Sequence, residues 1–336
     1  MDKKVMFAVA GSGKTTHIVN SLSREKRSLV ITYTIANYEN IYRKIIHKFD
    51  GDWPENIVLM RYFSFLYNFC YKPFLSDEIK ARGIIYNESP DRYARKTDRT
   101  YFLTNNGYLY SNRLSYILEE KHVICDIQER IVRYFDEFIV DEVQDIAGRD
   151  FNFLEKLMET SVSQLFVGDF YQHTFDTSRD GNVNGKLFES KENYEKRFAD
   201  KGFVVDNTTL INSWRCGPAV CKYITDNLGI EIHSNRTEDD DTSILLVSDP
   251  GQIQHIIADQ RIVKLHYRKG SSFGFNHFNW GETKGEDKYN DVCVYLNKVT
   301  AKAYSEGKLL TLKPATRNKF YVAITRARGN VYFINE

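Results

Sequence analysis

The chain has 336 residues, too many for one ordinary domain, and its 42% hydrophobic and 27% charged residues exclude disorder as its main state. Lys and Arg number 46 against 45 Asp and Glu, a formal net charge of +1, so a uniformly basic coat is excluded and any nucleic-acid contact has to come from a local groove. No apolar run approaches about 18 residues, so no membrane helix is expected. The five cysteines (Cys70, Cys125, Cys216, Cys221, Cys293) show no CxxC pair or His-linked metal spacing and read as reduced thiols of a cytoplasmic protein.

Residues 3–10 form a short apolar strand running into a glycine loop, and Thr15–Leu22 reads as a helix. Ser28–Thr34 is apolar and β-branched, hence a buried strand. Ile57–Met60, Phe135–Val140 and Gln164–Val167 are further strands, the last two ending in acidic residues. Strands alternating with helices argue a parallel α/β sheet. Residues 71–120 break this rhythm and read as an inserted subdomain, and residues 181–202 read as a surface connection. A second α/β block follows, with strands at 202–206, 243–247, 262–266, 292–296 and 331–334 and a helix over 218–227. The expected organisation is therefore a first domain over 1–200 and a second over 201–336.

Ala8-Val9-Ala10-Gly11-Ser12-Gly13-Lys14-Thr15 reads as a phosphate-binding loop that departs from GxxxxGK[ST] only at Ala8. Its glycines let backbone N–H groups point at phosphate oxygens, and the following helix adds its positive end. Lys14 would reach the β/γ-phosphates, and Thr15 would offer a hydroxyl to Mg²⁺. Ala10 to Gly13 and Thr16 complete the ATP-binding set. Asp141-Glu142 follows a buried strand, where one carboxylate can hold Mg²⁺ and the other can activate water. Charge developing on a transferred phosphoryl group needs arginines, and Arg215 and Arg326 are the candidates.

In order along the chain stand AGSGKT (10–15), ITYT (31–34), RYFSFL (61–66), VDEVQD (140–145), VGDFYQ (167–172), SWRC (213–216), TKG (283–285) and YVAITRAR (321–328). This set resembles the superfamily 1 helicases of the UvrD/Rep type. The resemblance implies an α/β fold of two RecA-like parallel-sheet domains, with a small insertion in the first and ATP·Mg²⁺ in the cleft between them. It implies that Asp141 holds the metal and Glu142 is the catalytic base, that Gln172 senses the γ-phosphate, and that Arg215 and Arg326 are arginine fingers. It further implies that Thr32, Tyr33, Thr34, Tyr62 and Ser64 line a single-strand path, with Phe175 as a stacking ring. Lys284 belongs to the segment that links DNA to the nucleotide.

The departures from the family pattern set further expectations. No glutamine-containing adenine-recognition segment precedes the loop, so hydrolysis is better supported than adenine specificity. Thr177-Ser178 stand where a tryptophan and an arginine are usual, with Arg179 one place late, and Glu286-Asp287-Lys288 replace Leu-Glu-Phe. Only 68 residues separate Arg215 from Lys284, where processive relatives insert a helical domain. Two functions fit. One is a DNA-dependent ATPase that translocates 3′→5′ on single-stranded DNA or unwinds it in repair. The other is a DNA-gated switch for a partner nuclease in anti-phage defence, acting at single strands or DNA ends. An RNA-directed viral helicase is a third class.

Overall fold

The computed structural model describes residues 2–91, 93–174, 177, 183–237, 240–286 and 288–336. The chain divides into two compact units. One comprises residues 1–6, 15–168 and 175–206, and the other residues 7–14, 169–174 and 207–336.

The first unit is built on a six-stranded sheet. Its strands are β1 (Lys3–Phe7), β2 (Ser28–Thr32), β3 (Ile57–Arg61), β4 (Glu137–Asp141), β5 (Ser163–Gly168) and β6 (Val204–Asp206), in the spatial order β3-β2-β4-β5-β1-β6. The pairs β1–β6, β2–β3, β2–β4 and β4–β5 are parallel. Every residue of β2 and β4 is buried, as expected for strands covered by helices on both faces. Below the sheet, Phe138, Phe151, Phe166, Phe198 and Phe203 join in a run of edge-to-face and tilted ring contacts.

Three expectations change here. Residues 202–206, expected to open the second α/β block, instead supply β6, which pairs with β1 at the edge of the first sheet, so the first unit runs to residue 206 rather than 200. Residues 181–202 are not simply a surface connection: Lys191–Ala199 is a helix capped by Ser190, and its Tyr194 and Phe198 are fully buried. The four-residue spacing puts both rings on one face against Phe151, which the polar composition around them conceals. Residues 71–120 are not uniformly an excursion. Leu75 and Ile79 at one end and Leu114, Ile117 and Leu118 at the other are buried in helices, the latter packing on helix Gly148–Leu157. Between them, Gly83–Ile85 pairs in parallel with Tyr108–Tyr110 to make the small insertion.

The second unit holds a five-stranded sheet of β7 (Ile244–Leu246), β8 (Val263–His266), β9 (His277–Asn279), β10 (Val292–Leu296) and β11 (Val331–Asn335). The order is β7-β11-β10-β8-β9, and every pair is parallel. Trp280, Phe320, Tyr321 and Phe333 fill its core, and Val9 and Ala10 of the glycine loop belong to that same core. This explains why the loop groups with the second unit although β1, which precedes it, belongs to the first sheet. Four of the five thiols are buried and none is in a disulfide. Among the described residues, no helix is long and apolar enough to cross a membrane.

Candidate nucleotide and nucleic-acid site

The candidate side chains Thr32, Asp141 and Glu142 of the first unit stand at the carboxyl ends of parallel strands, where open α/β sheets place their ligands. The register pairs Ile31 with Val140, so Thr32 and Asp141 end neighbouring strands. The Thr32 hydroxyl donates to Asp141 Oδ2 at 3.3 Å. Glu142 follows in the left-handed region at φ 56° and is 7% exposed. A non-glycine residue held there costs of order 1–3 kcal/mol, and such strain concentrates at functional sites. Gln144 Nε2 donates to Glu142 Oε2, and the Asp145 N–H donates to the Glu142 carbonyl at 2.8 Å. Thr15 and Thr16 sit in the first turn of helix Lys14–Ser21, and Lys44 Nζ donates to the Thr16 hydroxyl at 2.6 Å.

In the second unit, the glycine loop meets three distant segments. Gly11 and Gly13 have φ of 71° and 89°, conformations that an L side chain adopts only under strain. A Cβ on Gly11 would lie 2.6 Å from Arg215 Cβ and 2.8 Å from Ser213 Oγ. The Gly11 carbonyl accepts the Trp214 N–H at 2.9 Å. The Ala10 N–H donates to the Tyr321 hydroxyl at 2.9 Å, and that hydroxyl donates to Asp169 Oδ2 at 3.1 Å. Gln172 Nε2 donates to the same oxygen at 2.8 Å. Asp169 and Tyr321 are completely buried, so this chain of hydrogen bonds runs in low dielectric.

The two arginines are near neighbours. Arg215 Nη1 donates to the Thr325 carbonyl at 2.9 Å. Arg326, 1% exposed, donates from Nε to the Val322 carbonyl and from Nη1 to the Thr283 carbonyl, each at 3.2 Å. Burial, and after it the charge of Arg326, lowers the proton affinity of Arg215. Two guanidiniums this close, in the same unit as the glycine loop, concentrate positive charge of the kind an anion offsets. A polyphosphate fits this set. Among the described residues, no cluster of three or more His, Cys, Asp or Glu could hold a metal ion by itself. Thr15 and Asp141 suit Mg²⁺ only together with phosphate oxygens and water, which is how that ion is usually held.

The residues expected along the single-strand path divide. Tyr33 is half-buried, with its ring 6.2 Å from Phe63, and Ser64 is half-buried. Thr34 caps helix Ile35–Lys48, its hydroxyl accepting the Asn37 N–H at 3.1 Å. Lys284 is half-buried beside Thr283, whose carbonyl holds Arg326. Tyr62 needs correction. It is 2% exposed, with its hydroxyl facing the buried Asp150, so its ring has no face for a base. Thr32 is corrected too, since it is 1% exposed and its hydroxyl serves Asp141. Phe175 lies outside the described residues, as do Ser178, Arg179 and Asp287. Sequence reasoning missed Asp169 and Tyr321 as positioning groups. Both lie inside the motifs VGDFYQ and YVAITRAR, but their partners lie far away along the chain.

No protein-family model and no curated protein matches the chain. Solved structures do match. The arterivirus nonstructural protein 10 helicase is 16% identical at a TM-score of 0.52, covering 98% of this chain and 59% of that one. The same arterivirus protein in complex with DNA gives 16%, 0.51, 98% and 60%. The PRRSV helicase gives 13%, 0.50, 99% and 52%. The chain thus spans 52–60% of the length of these helicases, and at such identity the likeness is one of fold. That fold is α/β, two RecA-like parallel-sheet domains with a small insertion in the first.

Proposed function

We propose that the chain is an ATPase of the superfamily 1 helicase type, driven by single-stranded nucleic acid. The observation that carries this is the convergence of Gly11, Arg215 and Arg326 in one unit, with the Tyr321–Asp169–Gln172 chain tied to the loop backbone. Lys14 and the N–H groups of the loop bind the polyphosphate. Thr15 and Asp141 would hold Mg²⁺, which would supply charge neutralisation. Glu142 accepts a proton from the attacking water, and its fixed left-handed backbone aims the carboxylate. Arg215 and Arg326 offset charge developing on the γ-phosphate. Gln172 shares Asp169 with Tyr321, so a change at the phosphate reaches the segment after β5 through a single carboxylate. Tyr33, Thr34, Ser64 and Lys284 serve the strand, and the direction implied by the UvrD/Rep resemblance is 3′→5′.

A second reading, a gated switch with little unwinding, has its own observation. Between Arg215 and Lys284 the chain is spent on helices Pro218–Leu228 and Pro250–Ala258 and on β7, β8 and β9. Among the described residues, no stretch there is left for a separate duplex-gripping domain. ATPase activity measured with no nucleic acid, single-stranded DNA, blunt duplex and RNA tests the proposal. Stimulation by single strands supports it, and equal rates in all four would sink it. Adding a partner nuclease to the same assay separates switch from motor.

A further inference from the structure

The crossover from β8 to β9 carries a feature that none of the motifs includes. His266, the last residue of β8, is 4% exposed and lies between two rings. Tyr295 of β10 stacks on it at 4.3 Å and 12°, and Phe273 of the crossover stacks at 4.5 Å and 11°. Burial, and then the charge of His277, lowers the His266 pKa to about 4, so the central ring is neutral at ordinary pH. His277 lies beside it, with Nδ1 2.9 Å from His266 Nε2. The result is a column of three nearly parallel rings whose outer member, Phe273, is 61% exposed. Phe275, two residues on, is 86% exposed.

The backbone presenting these rings is built rather than loose. Lys269, Gly274 and Asn276 all have positive φ. The Gly270 N–H donates to Asn279 Oδ1 at 2.8 Å, and a Cβ on Gly270 would overlap the Phe278 main chain. Asn276 Nδ2 donates to the Gln260 and Ile262 carbonyls at 2.8 and 2.9 Å, fastening the far end of the crossover to the start of β8. The stretch 260–281 contains Arg261, Lys264, Arg268 and Lys269 and no acidic residue. Arg268 and Lys319 both lie over the Tyr267 ring, at 5.3 and 5.4 Å, which keeps positive charge at the base of the crossover.

We infer that Phe273, backed by His266 and Tyr295 and flanked by Phe275, is a stacking platform for a base of single-stranded nucleic acid. An open end on a parallel ring column accepts another flat ring at its van der Waals distance, and every base offers such a face. Arg261 is held by Asp259 and Lys264 is buried, so the cations beside the platform are Arg268 and Lys269, whose charge suits a phosphate backbone. The inference deepens the nucleic-acid reading above and rests on it.

The test uses the full chain and a short fluorescein-labelled deoxyadenosine oligomer, with binding read by anisotropy over a salt series. Phe273→Leu and Phe275→Leu keep apolar bulk and remove the π-face, whereas Phe273→Trp keeps it. The leucine variants should each bind roughly tenfold more weakly, as loss of one stacked base implies, while the tryptophan variant binds like wild type. Their salt slopes should match that of wild type, whereas Arg268→Ala should shallow the slope by about one charge. Melting temperatures check folding, and Phe275, being on the surface, cannot unfold the chain by truncation. Wild-type affinity in both leucine variants would overturn the platform. So would a loss confined to free ATP, or a loss confined to a protein partner. If the wild-type chain itself binds no single strand, the nucleic-acid reading fails first, and the platform fails with it.

Discussion

At the scale of single residues, the proposed roles separate binding from chemistry. Lys14→Ala should lose nucleotide affinity, because a cation on the β/γ-phosphates is removed. Glu142→Gln should keep ATP bound, seen by fluorescent-nucleotide titration, and reduce turnover to below a few per cent. Brisk hydrolysis by Glu142→Gln would assign the base elsewhere. Tyr321→Phe takes a donor from buried Asp169 and an acceptor from the Ala10 N–H, a cost of about 1–3 kcal/mol for the groups left behind. Its melting temperature should fall and its ATPase should slow, while the conservative ring keeps the core filled. Asp150 supplies a pH test. Burial raises its pKa to about 6 against the opposing Ser115, Thr177 and Tyr62 hydroxyls, with Glu119 adding to the rise. Between about pH 4 and 6 the folded chain keeps this proton while the unfolded chain has released it. Stability from this group is therefore present below about pH 4 and is lost as pH rises through 6, by up to about 3 kcal/mol. His266 acts in the opposite sense, since its lowered pKa makes stability fall as pH drops from its ordinary value towards 4. Urea melts of wild type and Asp150→Asn across this range isolate the first effect as their difference. A constant difference would refute the raised pKa.

At the scale of elements, the carboxyl ends of β2 and β4 put Thr32 and Asp141 side by side because the strands are parallel and in register. The glycine loop is tighter still. Gly11→Ala would place a methyl against Arg215 Cβ and force an alanine to φ 71°. Backbone strain alone costs about 1–2 kcal/mol. The larger effect should be displacement of Arg215, so the variant should lose hydrolysis more than it loses stability. Arg215→Ala and Arg326→Ala should each slow turnover by ~10³-fold while ATP still binds. The two should be strongly non-additive, since the charge of Arg326 already lowers the proton affinity of Arg215. Additive losses in the double variant would mean that they act at separate places.

At the scale of the whole molecule, a net charge of +1 leaves nucleic-acid binding to a few local cations and exposed rings. Stimulation of the ATPase by single-stranded DNA should therefore erode only gently with salt, and a steep slope would imply many more phosphate contacts. The small insertion offers Gly83–Ile85 and Tyr108–Tyr110 as its only sheet among the described residues, which is little with which to grip a duplex. A strand-displacement assay on a tailed duplex of some tens of base pairs should show poor separation by the chain alone. Processive unwinding would move the weight from switch to motor.

The sequence by itself determined most of the strands and proposed the residues of the candidate site. Short apolar, β-branched runs such as Leu29-Val30-Ile31 favour buried strands, and all ten expected strands have counterparts, although Val204–Asp206 lies in the first sheet rather than the second. A glycine loop needs particular residues at contiguous positions, so the left-handed Gly11 and Gly13 were readable locally, and with them the proposed role of Lys14. Edge strand β9 was not, because three half-buried residues carry too little pattern. Nor was the helix of Tyr194 and Phe198, whose buried face is only two residues wide. Only the tertiary structure decided that Tyr62 belongs to the core, that Tyr321 reaches Asp169 and the loop backbone, and that Arg326 lies close to Arg215. The ring column of Tyr295, His266 and Phe273 belongs with these. The physical reason is common to all four. Each depends on contacts between residues far apart in the chain or on neighbouring strands, and such contacts are set by sheet order and register rather than by local composition.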